Sequence, residues 1–206
     1  ASPYTLGISS GAGFGASLAI LAGSGLAGGQ YLVIGNAFIF ALISAFIIIG
    51  LASQRGAAPE TMILAGIAMT CLFGSATTIL QYFGDAEAVK EAVFWMVGDL
   101  GRASWKKLSV VSAVLAVCLP LLFWKSWDLN VIGGGDESAH SLGINVKGTR
   151  IFLMVVSTLL VASVVCFTGT IGFIGLVAPH MVRMMIGGDN RFLVPASGPL
   201  RAILLV

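Results

Sequence analysis

The first 54 residues, Ala1 to Gln54, contain no charged side chain. At 1.5 Å per helical residue this is enough chain to cross a hydrocarbon layer about 30 Å thick twice. In such a layer every backbone N–H and C=O must pair within the protein, which the α-helix does locally. Gly23-Ser24-Gly25 and Gly28-Gly29-Gln30 mark a turn, predicting span one over about 6–26 and span two over about 31–53. The whole chain of 206 residues is 57% apolar and 10% charged, against roughly a quarter charged in soluble domains. That composition excludes a secreted or cytosolic enzyme and predicts an all-α, polytopic transmembrane helix bundle. The net charge of +2, with eleven scattered Lys and Arg, gives no basic face for nucleic acid. A first residue other than Met and an apolar run still open at Leu200–Val206 read as an internal piece of a longer protein, incomplete at both ends.

Further uncharged runs extend the bundle. Span three is expected from Thr61 to about Phe83, after the polar loop Ser53–Gly56 and Pro59. Asp85–Lys107 holds four acids and four bases. Within it Ala86, Val89, Val93 and Met96 fall at helical spacing opposite Glu87, Lys90 and Glu91, the pattern of a helix lying at the membrane interface. Span four follows from Leu108 to about Trp124, with Trp124 and Trp127 as an interfacial belt. A polar segment occupies 125–150, and span five begins at Ile151. Its apolar run lasts about 29 residues, to Pro179. That exceeds one crossing, so the break at Gly169–Gly172 predicts a full span and then a short return segment over about 172–186. Another span starts near Phe192.

Loops 53–60, 125–150 and 187–191 fall on one side, with Arg55, Lys125, Lys147, Arg150 and Arg191 there and Arg183 close by. Lys90, Arg102, Lys106 and Lys107 fall on the other. The small excess assigns the first side to the cytoplasm.

Chemistry is sparse. The nine acids all lie in or beside loops, whereas ion-coupled carriers place an ionisable group at mid-membrane. This weighs against one alternative, a secondary carrier that binds its own coupling ion, while the other, a structural membrane protein, stays open at this point. Gly7, Gly11 and Gly15 form a small-residue strip on one helix face, suited to close helix packing or to a pathway. Gly11–Gly15 lacks the spacing and acidic partner of a dinucleotide loop. His140 and His180 have no second ligand at metal spacing. Cys71, Cys118 and Cys166 each sit in an apolar run and read as buried thiols.

Three stretches then carry a resemblance. Ser2–Gly15, SPYTLGISSGAGFG, is similar to D-P-x-x-L-G-[IV]-S-x-G-A, with Ser2 in place of the acid. Gly135–Val146, GDESAHSLGINV, is similar to G-E-x-x-A-x-x-L-G, read with Asp136 inserted between Gly135 and Glu137. Gly169–Arg183, GTIGFIGLVAPHMVR, is similar to G-x-I-G-F-[IV]-G-L-[IV]-x-P-H-[IV]-x-R. Trp95–Leu100 and Ser104-Trp105 also fit. In this order the motifs resemble FecCD-type permease subunits of ABC importers for ferric siderophores, haem and vitamin B12.

The resemblance implies a single transmembrane permease domain over 1–206, in the inner membrane of a prokaryote, pairing with a second permease copy, two ABC ATPase subunits and an extracytoplasmic substrate-binding protein. It implies no catalytic residue, no cofactor and no metal in this chain. About 125–150 would be the cytoplasmic coupling segment, with Glu137, Ser138, Ala139, Leu142 and Gly143 seated in the ATPase. Gly143 would end its helix and small Ala139 would permit close approach. Ser9, Gly11, Gly13, Gly66 and Thr70 would line the pathway, where small, mildly polar residues suit a large hydrated chelate. Ala58, Pro59 and Glu60 would lie near the cytoplasmic gate.

Overall fold

The computed structural model describes residues 7–23, 31–54, 58–172, 174–187 and 189–205, which form ten α-helices. These are α1 (Ile8–Ala22), α2 (Leu32–Gln54), α3 (Pro59–Phe83), α4 (Ala86–Val97), α5 (Trp105–Trp124), α6 (Ser126–Gly133), α7 (Asp136–Ser141), α8 (Val146–Thr168), α9 (Ile174–Ile186) and α10 (Asn190–Leu205). Four of them, α2, α3, α5 and α8, are long and apolar enough to cross a membrane. Each coincides with an expected span. Helix α8 starts five residues before the expected Ile151, because Asn145 caps it by accepting from the Gly148 N–H at 2.9 Å, so its polar first turn is helix rather than loop.

The predicted loops assort to two ends. At the lower end Ala52, Met62, Ile151 and Met154 pack together, joining the end of α2 to the starts of α3 and α8. At the upper end the 84–104 segment meets the ends of α1 and α8. Helix α4 packs at that end, and the chain itself covers residues beside the expected apolar stripe. Ala92 and Trp95 are buried whereas Val93 and Ala86 are exposed. Trp95 joins the buried cluster that holds Ala12 and Ala16 of α1, and Met96 packs against Gly13. Exposed Trp105 and Trp124 bound α5, about 28 Å apart along the helix axis, the spacing of two interfacial belts.

Helix α1 departs most from expectation. It has 15 residues, about 22 Å, and begins inside the bundle. The Ser44 hydroxyl donates to the Gly7 carbonyl at 2.9 Å, and a Cβ on Gly7 would lie 2.9 Å from the Gly66 carbonyl. Ser44 and Gly66 are roughly 10–15 Å along their helices from the lower ends of α2 and α3. The glycine strip serves packing: Gly11 faces the Phe40 carbonyl and Gly15 the Asn36 carbonyl, both on α2. Backbones that close leave no room for a methyl group. Phe14, Phe40 and Phe73 extend this centre as edge-on and tilted ring contacts at 5.0–6.4 Å. Cys118 and Cys166 are buried, but Cys71 is exposed, because α3 turns Met62, Ala65, Met69, Phe73 and Thr77 inward and Cys71 lies on its opposite face.

Candidate functional site

The 125–150 segment folds as two short helices at the lower end. Gly134 and Gly135, the latter at φ 117°, let the chain turn between α6 and α7. Helix α7 ends at Leu142, where the Gly143 N–H donates to the His140 carbonyl at 3.0 Å and the Ile144 N–H to the Ala139 carbonyl at 3.0 Å. Gly143 has φ 78° with open space around it. Backbone conformation therefore requires glycine here, as expected for a helix stop.

The candidate residues separate into two groups. Glu137, Ser138 and Leu142 are exposed, Leu142 at 70%, and form the part of α7 open to a partner. Ala139 is fully buried within the chain. Its small size thus serves the internal seat of α7 rather than approach by a partner. The acidic place in the motif also moves. Four positions separate its glycine from its alanine, as they separate Gly135 from Ala139, so Asp136 fills the acidic place with no insertion. Asp136 holds Arg150 through two bonds, at 2.8 and 3.0 Å. This fork-to-carboxylate geometry fixes the start of α7 to the first turn of α8.

Helix α6 is held from the other side. The Asn130 amide donates to Asp189 Oδ1 at 2.7 Å and its oxygen accepts from the Asn190 N–H at 2.9 Å. Arg191 donates to Asp189, closest at 2.6 Å, and lies over the Trp127 ring at 5.1 Å. The Arg191 side chain and backbone N–H, together with Asn130, hold the Asp189 carboxyl well below the usual carboxylate range. Sequence reasoning missed this tie, since its halves lie about sixty residues apart and each reads alone as a solvated loop.

The expected pathway residues occupy helix contacts. Ser9 is buried, Gly11 adjoins Phe40, and Gly13 sits under Met96. Gly66 and Thr70 lie beside Gly7, and the Thr70 hydroxyl donates to its own helix at the Gly66 carbonyl, 2.9 Å away. Ala58, Pro59 and Glu60 form the start of α3: Ala58 is the N-cap, Pro59 opens the helix and Glu60 lies in its first turn. Proline and an acid both favour such a start. Ser2–Leu6 of the first motif, Arg55 and Phe173 lie outside the described residues. Among those described, no cluster of three or more His, Cys, Asp or Glu has the arrangement of a metal site.

The upper end carries a second junction, also missed. The Asp99 N–H donates to the Thr168 carbonyl at 2.7 Å and the Thr170 hydroxyl donates to the Met96 carbonyl. Gly98 and Gly169, both at φ 76°, face each other there. A Cβ on either would strike the other strand of backbone.

Residues 1–206 match the FecCD transport family along their whole length. The chain belongs to that family. A FecCD relative, the hemin transport system permease HmuU of Yersinia pestis, is 37% identical over 100% of this chain and 62% of its own length. The cobalamin import permease BtuC of Halobacterium salinarum is 36% identical over 100% and 55%. A Methanocaldococcus jannaschii protein described as an ABC transporter permease is 44% identical over 100% and 62%. A solved chain, from a metal-chelate type ABC transporter in an inward-facing conformation, superposes with TM-score 0.89 at 28% identity, covering 100% of this chain and 65% of its own. The chain therefore spans about three fifths of the length of these FecCD relatives. Family and apolar helices together make it a membrane protein with the fold of an ABC-transporter permease.

Proposed function

We propose that this chain is the larger part of the permease subunit of an ATP-binding-cassette importer that carries an iron chelate, haem or cobalamin across the cytoplasmic membrane. The observation that carries the reading is α7, a short helix anchored at Asp136 and Ala139 with Glu137, Ser138 and Leu142 left exposed. A helix fixed on one side and bare on the other can take up a push from a partner. Because Asp136 grips Arg150, that push is delivered to the first turn of α8, and a 23-residue helix converts it into a tilt of the bundle. ATP hydrolysis belongs to two partner subunits, and the chain itself moves without doing chemistry.

The cargo class rests on relatives named for hemin, cobalamin and Fe(3+)-citrate, with selection left to an extracytoplasmic binding protein. A second permease copy would complete the pathway. In that assembly Gly66 and Thr70 of α3, with Ser9, Gly11 and Gly13 of α1, would support its wall, and Ala58–Glu60 would lie at its cytoplasmic gate. The test is co-purification of the full-length protein with its ATPase subunit from detergent. Glu137→Ala combined with Leu142→Ala is expected to lower ATPase association at least tenfold and abolish chelate uptake while membrane insertion is unchanged, since a few residues carry most of the energy of a contact. Wild-type association and uptake in the double variant would remove α7 from the coupling role.

A further inference from the structure

The tie between α6 and the α9–α10 junction needs a group that donates and accepts at once, as a carboxamide does. Asn130 donates through Nδ2 to the Asp189 carboxylate at 2.7 Å. Its Oδ1 accepts from the Asn190 backbone N–H at 2.9 Å and from the Asn190 side-chain amide at 2.8 Å. An aliphatic residue would lose all three bonds, and a carboxylate would meet Asp189 as a like charge. Trp127 lies three residues earlier, on the same side of α6, and receives Arg191 over its ring. The coupling segment is therefore gripped at two places: by α8 through Asp136 and Arg150, and by the α9–α10 corner through Asn130 and Asp189.

We propose that Asn130 and Asp189 are positioning residues that carry movement of the coupling segment into α9 and α10, so that two parts of the lower end answer one push. This rests on the reading of α7 as the ATPase contact, and goes beyond it by assigning a second route for the movement. With α8 alone as lever, one helix would tilt against a stationary neighbour. With the tie in place, the segment containing Pro179, His180 and Arg183 moves with it.

The experiment uses the full-length permease with its ATPase and binding protein in proteoliposomes. Asn130→Asp is expected to retain ATPase association and ATP hydrolysis but to lower uptake of the labelled cargo per ATP about tenfold, the equivalent of one charge-assisted hydrogen bond. The exchange N130D with D189N restores a donor opposite an acceptor and is expected to recover at least half of the lost uptake. Uptake at the wild-type level in N130D would overturn the proposal. So would loss of ATPase association in N130D, which would make Asn130 a docking residue, or an exchange variant that associates without recovery. Should N130D fail to reach the membrane, N130A carries the same expectation, a several-fold fall in uptake per ATP at unchanged association. Failure of the α7 reading is distinct: the Glu137→Ala, Leu142→Ala variant would then keep wild-type ATPase association and uptake whatever N130D does.

Discussion

The two ends of α8 are fastened by opposite means. At its upper end backbone meets backbone: Gly169 presses on the Trp95 carbonyl, Gly98 on the Thr170 carbonyl, and the Asp99 N–H bonds to Thr168. At its lower end side chains do the holding, through Asp136 and Arg150 and through Ile151 and Met154 packed against Ala52 and Met62. A glycine junction has one geometry and no slack. A side-chain junction keeps its bonds through small rotations. The difference teaches where this helix can pivot: the upper end is a fixed bearing, and the lower end is the one that can give under the push proposed for α7.

The largest effect should come from breaking the bearing. Gly169 has φ 76° and ψ −168°, a region only glycine occupies comfortably, and a Cβ would overlap the Trp95 carbonyl. Gly169→Ala is expected to cost roughly 3 kcal/mol or more from backbone strain and overpacking together. Gly143→Ala, at φ 78° in open space, carries the backbone cost alone, about 1 kcal/mol. Thermal unfolding of both variants in detergent measures the gap. Equal losses would show that the upper junction yields, and the contrast between the ends would fail.

Much of this arrangement was legible in the sequence because lipid is a strict solvent. An uncharged run long enough to cross had to be a helix, and α2, α3 and α5 follow. Where a helix begins within the bundle was not legible: α1 starts at Gly7 because Ser44 and Gly66 meet it there, and apolar composition is blind to that. Which residues of α4 the chain itself covers, Ala92 and Trp95, was not legible either, because burial against neighbouring helices does not follow hydrophobicity alone. The Gly135–Gly143 motif located α7, yet the grip of Asp136 on Arg150 needed the helix geometry. Asn130 and Asp189 carried no local signal at all, since polar residues in loops are ordinarily solvated.

A smaller effect is expected at the lower hinge. Asp136 is about half exposed and Arg150 largely covered, so their pair should contribute about 0.5–1 kcal/mol. A double-mutant cycle of Asp136→Ala and Arg150→Ala, read by thermal unfolding, isolates that coupling from the other contacts of Arg150. A coupling energy near zero would leave the apolar packing of Ile151 and Met154 to fasten the lower end, and the push on α7 would reach α8 only through the connecting chain. A coupling comparable to the loss at Gly169 would make both ends rigid.

The smallest effect concerns pH and asks whether the lower end stays fastened when the medium acidifies. Arg191 and Asn130 depress the Asp189 carboxyl in the folded protein, while in the unfolded chain it returns to about 3.9. For a depressed carboxyl, the stabilising contribution is complete above the unfolded value and is lost only as pH falls through the folded one. The difference in unfolding midpoint between wild type and Asp189→Asn should therefore be constant from pH 8 to about pH 5 and narrow only below about pH 4. Narrowing already between pH 7 and 5 would show that this carboxylate does not govern the pH dependence of the lower end.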